Sequence, residues 1–385
     1  MGEWKTVTIE DCTDVLGDGL HGTPKYTDDG EYYFVNGNNL ANGKVVIKND
    51  TKKVNYEEYE KYKKPLSDRT ILVSINGTLG NVGTYNGEKI ILGKSACFFN
   101  VKKEIDKDFL YYVVSSSAFR QYMDRNATGT TIKNFSLKQM REYTFCIPED
   151  IQEQKKVSSI LKYIDLKIYM NNEINNNLQE QAQALYQQMF IDNSSPDWRE
   201  GVLSDIADIT MGQSPSGSSY NEAGNGTIFF QGRAEFGFRF PTVRLFTTEP
   251  KRMACTNDTL MSVRAPVGDL NVAYEDCCIG RGLASIRSKT NHQSFVHYTM
   301  FFLRKQLDVF NGEGTVFGSI NRNALNEMSI IIPSDDKLDE FEKVVSNMDA
   351  IIRNNYDVIC RLEQLRDSLL PKLMCGELDL TEVDI

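Results

Sequence analysis

Residues 157–189 read VSSILKYIDLKIYMNNEINNNLQEQAQALYQQM, and residues 341–373 read FEKVVSNMDAIIRNNYDVICRLEQLRDSLLPKL. In the first stretch, apolar or small residues recur at alternating steps of four and three: Val157, Leu161, Ile164, Ile168, Asn171, Asn175, Leu178, Ala182, Leu185, Met189. The second gives Phe341, Val345, Met348, Ile352, Asn355, Ile359, Leu362, Arg366, Leu369, Leu373, matching the first position for position at a lag of 184 residues. Such steps average 3.5 residues, the period of a coiled-coil seam. A helix of this length spans roughly 50 Å at 1.5 Å per residue, and its apolar stripe needs a cover. Two stripes of equal length predict an antiparallel helix pair. Asn171 and Asn355 lie near the seam centres and are expected to face each other, where a buried Asn pair sets register at a cost in stability.

Working outward, the whole chain proves to be written twice. Trp4, Asp11, Asp14 and Tyr26 match Trp198, Asp205, Asp208 and Tyr220 at a lag of 194. Ser74 and Gly80 match Ser262 and Gly268 at 188; Gly129-Thr130 and Pro148 match Gly314-Thr315 and Pro333 at 185. Each copy is a mixed module followed by a long helix. The modules carry short β-like runs bounded by turn residues, such as Ile71-Leu72-Val73-Ser74-Ile75 before Asn76-Gly77, and Ser329-Ile330-Ile331-Ile332 before Pro333. Residues 108–123 and 294–309 read as module helices. Asp150 with Glu153 forms an expected capping box for the first long helix. Asn193-Ser194-Ser195-Pro196 stops that helix and links the copies, and Pro371 is expected to kink or end the second near Leu370. The predicted division is a first module at 1–150, a helix at 151–192, a second module at 193–334, and a helix with tail at 335–385.

The net charge of −10 is unevenly placed: residues 334–385 carry 6 basic against 13 acidic residues, while each module is within one charge of neutral. A near-neutral module is compatible with a basic face. No apolar run reaches the ~18 residues of a membrane span, and residues 1–5 show no secretory signal, so a cytoplasmic location is expected. Eight cysteines without a C-x-x-C pair, and three histidines, argue against zinc and for buried free thiols.

Catalytic motifs are lacking. Gly87 to Ser95 (GEKIILGKS) misses a phosphate-binding loop because its glycines are one residue too far apart and enclose an apolar strand. Gly17 to Gly22 (GDGLHG) runs into Thr23-Pro24 with no helix to open. There is no N-P-P-[FY], H-E-x-x-H or G-x-S-x-G. The ligand-reading candidates are polar, planar and repeated. Phe34-Val35-Asn36-Gly37-Asn38-Asn39 aligns with Phe229-Phe230-Gln231-Gly232-Arg233-Ala234. Asn and Gln pair bidentately with adenine and Arg with guanine in the major groove. A second surface is Gly129 to Phe135, with Lys133 and Asn134, matched by Gly314 to Ile320, with Ser319; Arg264 completes the set. The bland alternative for each is a solvated turn.

These features together resemble the specificity subunit of type I restriction-modification systems. The duplicated order of module and long helix carries the resemblance. So do the Gly-Thr segments ahead of Ile147-Pro148 and Ile332-Pro333, the run Ile279-Gly280-Arg281-Gly282-Leu283-Ala284, and the tail Leu365 to Leu373 (LRDSLLPKL). The resemblance implies an α+β fold: two similar mixed α/β target-recognition domains in pseudo-twofold arrangement, separated by two long antiparallel coiled-coil helices. It implies that each domain reads one half of a split site in double-stranded DNA, and that the helices set the gap and dock two methyltransferase subunits. Catalysis, with S-adenosylmethionine, Mg²⁺ and ATP, would lie on those and on restriction-translocase subunits. The copies depart from each other at Ser95-Ala96 against Gly282-Leu283, and at Pro371 against Gln187. The rival readings are a single-chain restriction endonuclease and a scaffold that binds only proteins.

Overall fold

A computed structural model describes residues 3–129, 131–311 and 318–378. Its contacts divide the chain into two compact units, residues 1–171 with 357–385, and residues 172–356. The division falls inside both long helices, Ile151–Tyr186 and Asp335–Met374, so each unit owns a length of each.

In the first unit, Thr13–Asp18, Ala96–Val101, Thr70–Ser74, Val82–Thr84, Gly43–Val45 and Leu40–Ala41 follow one another across a sheet. Beside it, Tyr32–Val35 pairs in parallel with Ile90–Leu92. Trp4–Thr8 and Thr144–Pro148 form an antiparallel pair in register Trp4 to Pro148. Period-two alternation leaves Cys146 exposed on that pair, because its neighbour Ile147 takes the buried face; the expectation of a buried thiol fails there. The predicted module helix at 108–123 is two helices, Lys107–Ser115 and Ser117–Asn126. Ser116 breaks it by going extended and accepting the Phe119 N–H on its side chain, a cap that competes with helix continuation.

The second unit repeats the plan. Ala207–Met211, Leu283–Ser288, Thr259–Ser262 and Leu270–Val272 follow in the same order, and Thr227–Phe230 pairs in parallel with Cys277–Ile279. Arg199–Val202 and Ser329–Ile332 form the antiparallel pair. The helical segment at 294–309 is likewise divided, into Gln293–Phe302 and Arg304–Leu307.

The seams are covered as their spacing predicts. In the first unit, Val157 and Leu161 of the first long helix and Leu369, Leu370, Leu373 and Met374 of the second join the module core of Val73, Phe99, Phe109 and Phe119. In the second, Ala182, Leu185 and Met189 join Phe341, Val345 and Met348 on a core containing Phe295 and Tyr298. The two helices run antiparallel within each unit: Asp165 meets Arg366 in the first, while Tyr186 lies against Phe341 and Asn175 meets Asn355 in the second.

Three local expectations are corrected. Asn355 donates to Asn175 Oδ1 at 2.8 Å, with both residues buried, and not to Asn171, whose amide returns to the Lys167 carbonyl one turn back. The antiparallel register is therefore one helical turn from the predicted one. The capping box at the first long helix does not form. Asp150 Oδ1 accepts the Gln152 N–H at 2.9 Å, and Glu153 pairs with Lys156. The second long helix continues through Pro371 to Met374. A mid-helix proline costs about 3 kcal/mol. Burying Leu373 with partial burial of its three neighbours contributes more, at about 1.5–3 kcal/mol for each fully buried side chain. The first long helix widens at its end into a π-helical turn, Gln187–Asp192, which carries Phe190 into the second unit's core.

An aspartate of each long helix binds its unit's module. Asp165 accepts the Tyr112 hydroxyl at 2.8 Å and Arg366 at 3.0 Å. Asp349, its counterpart at a lag of 184, accepts Tyr298 and Ser294 hydroxyls and pairs with the buried Arg239. Arg239 also donates to His297 Nε2 at 2.6 Å. A guanidinium only donates, so His297 is the acceptor there, neutral, with its Nδ1–H directed to Thr259 Oγ1 at 3.1 Å. Burial, then the Arg239 charge, holds the His297 pKa well below the usual histidine range.

Asn355→Leu is expected to destabilise the protein by about 1–3 kcal/mol, because Asn175 is left buried and unpaired. The double variant with Asn175→Leu should recover most of that loss. Chemical denaturation of the four-member cycle checks this, and strictly additive losses would contradict it. His297 binds a proton more readily unfolded than folded. Stability should therefore fall as pH drops below about 6.5, by up to ~1.4 kcal/mol per pH unit. His297→Gln should flatten the profile below about pH 6.5, read by denaturation at each pH.

Candidate nucleic-acid interface

The loops at one edge of each module are held by the same backbone hydrogen bonds. In the first module, Ile75 N–H reaches Ser95 O, Gly77 N–H reaches Lys133 O, and Phe135 N–H reaches Ile75 O. In the second, Val263 N–H reaches Gly282 O, Ala265 N–H reaches Gly318 O, and Ile320 N–H reaches Val263 O. Ser74 and Ser262 each donate to a loop carbonyl four residues on, at 2.7 Å, and accept the N–H of Asn81 or Asp269. Gly80 and Gly268 close these loops at φ +74° and +89°, a left-handed backbone that favours glycine. The repeated Ser and Gly seen in the sequence are thus the fixings of a loop, and the residues between them are free to vary.

The predicted contact residues sort by what already occupies them. Asn39 is buried and spent: its amide donates to Val46 O at 3.0 Å and Thr51 Oγ1 at 3.2 Å, and its carbonyl accepts the Asn36 N–H. It builds the turn, with its side-chain donors and acceptor already engaged. Asn36 is half-buried, with its carbonyl taken by Ser95 Oγ at 2.9 Å. In the second module Gly282 stands where Ser95 does. A Cβ there would lie 2.8 Å from Gln231 O, so the glycine allows close approach and leaves Gln231 exposed. Asn38 is exposed. Arg233 is half-exposed and pairs with Asp269, which also takes Arg304 at 2.7 Å. Lys133 is half-exposed and pairs with Asp124 at 2.6 Å. Thr130 and residues 314–317 of the Gly-Thr segments lie outside the described residues.

The remaining residues come together in pairs. Asn134 forms a bridge with Asn76, and Arg264 forms the matching bridge with Ser319. Asn76 was missed, although it stands at the lag of 188 from Arg264. Asn76, Asn134, Lys94 and His21 line one open cleft of the first unit, with Asp18 bound to His21. Asn36 lines the adjoining cleft with the same His21 and Lys94. Lys94 was passed over inside the rejected phosphate-loop motif. Its counterpart at a lag of 187 is Arg281, so an exposed cation recurs at this position in both copies. Surface cations beside exposed amides and guanidinium groups suit a polyanion whose edges offer donors and acceptors. Among the described residues, no group of three or more His, Cys, Asp or Glu is placed to hold a metal ion, and no helix is long and apolar enough to cross a membrane.

Asn39→Ala should cost about 1–3 kcal/mol by stranding the Val46 carbonyl and the Asn36 N–H. Asn38→Ala next to it should stay within about 0.5 kcal/mol of wild type. Urea denaturation distinguishes the two.

The family model described as the type I restriction modification DNA specificity domain matches residues 1–180 and again residues 196–363. The chain is 28% identical to the type I restriction enzyme specificity subunit designated MjaX of Methanocaldococcus jannaschii, over 98% of this chain and 94% of that protein. It is 24% identical to the MjaIX specificity subunit of the same organism, over 82% and 78%. Its fold is similar to the crystal structure of the type I restriction-modification S subunit from M. genitalium, with a TM-score of 0.59 at 19% identity, covering 99% of this chain and 97% of that one. The chain, twice matched across nearly its whole length, belongs to the type I restriction-modification DNA specificity family.

Proposed function

We propose that this chain is the DNA-recognition subunit of a type I restriction-modification complex. Its modules, 1–150 and 193–334, act as target-recognition domains, each reading one half of a bipartite site in double-stranded DNA. The helices at 151–192 and within 335–385 set the gap between the halves and dock two methyltransferase subunits. Those partners hold S-adenosylmethionine, and restriction-translocase subunits with Mg²⁺ and ATP join the full assembly; this chain performs no bond-making step itself. A cytoplasmic location follows from work on cellular and incoming DNA. The observation that carries the reading is the pair of modules with the same loop fixings and different exposed side chains. One frame with two sets of polar groups suits two different half-sites.

Incubating the purified chain with DNA, Mg²⁺ and S-adenosylmethionine should give neither cleavage nor methyl transfer; the same chain assembled with its methyltransferase subunits should methylate a split sequence. Replacing Gln231 and Arg233 by Ala should change preference in one half of that sequence and leave the other half as it was. Sequencing of methylated positions reads the outcome, and a change in both halves would contradict the assignment of one module to one half.

A further inference from the structure

The bridge that holds Asn76 against Asn134 has a chemical consequence. Asn76 Nδ2 donates to Asn134 Oδ1 at 3.1 Å, and the backbones of the two residues are bridged. Two amides joined by one such bond leave one carbonyl and one amino group unspent, whichever amide donates. In this cleft the pair therefore presents an acceptor beside a donor. Adenine offers N6–H₂ as donor and N7 as acceptor on its major-groove edge, the complement of that pair. Gly77 N–H to Lys133 O and Asn134 N–H to Thr128 O fix the two loops that carry them, so little ordering remains to be done on contact.

The second module carries Arg264 and Ser319 at the same bridge. Arg264 is exposed, and among the described residues no acid pairs with it. Arg233, by contrast, is bound to Asp269. A guanidinium is a donor-only fork, and guanine alone presents two acceptors, O6 and N7, on its major-groove edge. We propose that the 76/134 and 264/319 positions are one discriminating pair in each module, the first selecting adenine and the second guanine. Lys94, which lines the cleft with Asn76 and Asn134, and its counterpart in the second copy, Arg281, hold the phosphate backbone without regard to sequence. This inference rests on the bipartite reading above.

The test uses the full chain assembled with its methyltransferase subunits, with methylated sites read by sequencing and duplex affinity measured on matched oligonucleotides. Asn76→Ala combined with Asn134→Ala should lower the preference for adenine at one position of one half-site by about tenfold or more. Arg264→Ala should do the same for guanine in the other half. Arg264→Lys, which keeps charge and loses the fork, should keep affinity and still lose discrimination. Lys94→Ala should weaken binding to all sequences alike and reduce its salt dependence. Thermal melts of each variant exclude unfolding as the cause. If Arg264→Ala and Arg264→Lys leave base preference unchanged, or Arg264→Ala weakens all sequences uniformly, the inference is overturned while a bipartite site in wild type leaves the underlying reading in place. An undivided wild-type site would overturn that reading itself.

Discussion

Everything in this structure depends on covering two apolar stripes that are too long to be hidden by one small module. A helix of 36 or 40 residues in a folded protein draws most of its stability from burying its apolar stripe. Within each unit the stripe is buried twice over, at its end against the module core and further along against the other long helix. Leu161 and Phe341, both fully buried, mark the module contacts, and the Asn175–Asn355 bond marks the contact between helices. That polar bond contributes little net energy. Its value is positional, since a one-turn slip would bury an amide against an apolar side chain.

Much of this was legible because seam spacing and internal repetition are long-range patterns that survive local ambiguity. The strands Thr70–Ser74 and Ser329–Ile332 were plain from their apolar runs and flanking turns, and the seam positions fell where the four-three steps placed them. What was not legible was whatever turned on a single competing interaction. Asn171 and Asn175 are both polar seam positions, and only the antiparallel register decides which one Asn355 meets. Ser116 divides a helix because its side chain caps a backbone N–H, something a propensity scan averages away. Pro371 stays inside its helix because tertiary burial outweighs a local preference.

The candidate contact residues could be listed from the sequence, but the partners that already occupy them could not. Amides in glycine loops serve turns and ligands equally well, and only the partners separate the two uses. Asn39 is consumed by its own turn, and Asn36 is restrained by Ser95, a residue fifty-nine positions away. Asn76 and Lys94 lay in plain view but carried no motif. The signal that finds them is the comparison between copies: one position where the residue type changes on a fixed frame, and one where a cation persists.

The first unit takes in the far end of the second long helix, with Leu369, Leu370 and Leu373 packed on its core. The chain therefore begins a core near residue 9 that it cannot close until residues beyond 357 exist. At roughly 5–20 residues per second of synthesis, the nascent N-terminal half must wait on the order of ten to forty seconds, while 172–356 is made, with apolar surface uncovered. Until residues 369–374 exist, the apolar face that Leu369, Leu370, Leu373 and Met374 cover in the folded chain has only solvent against it.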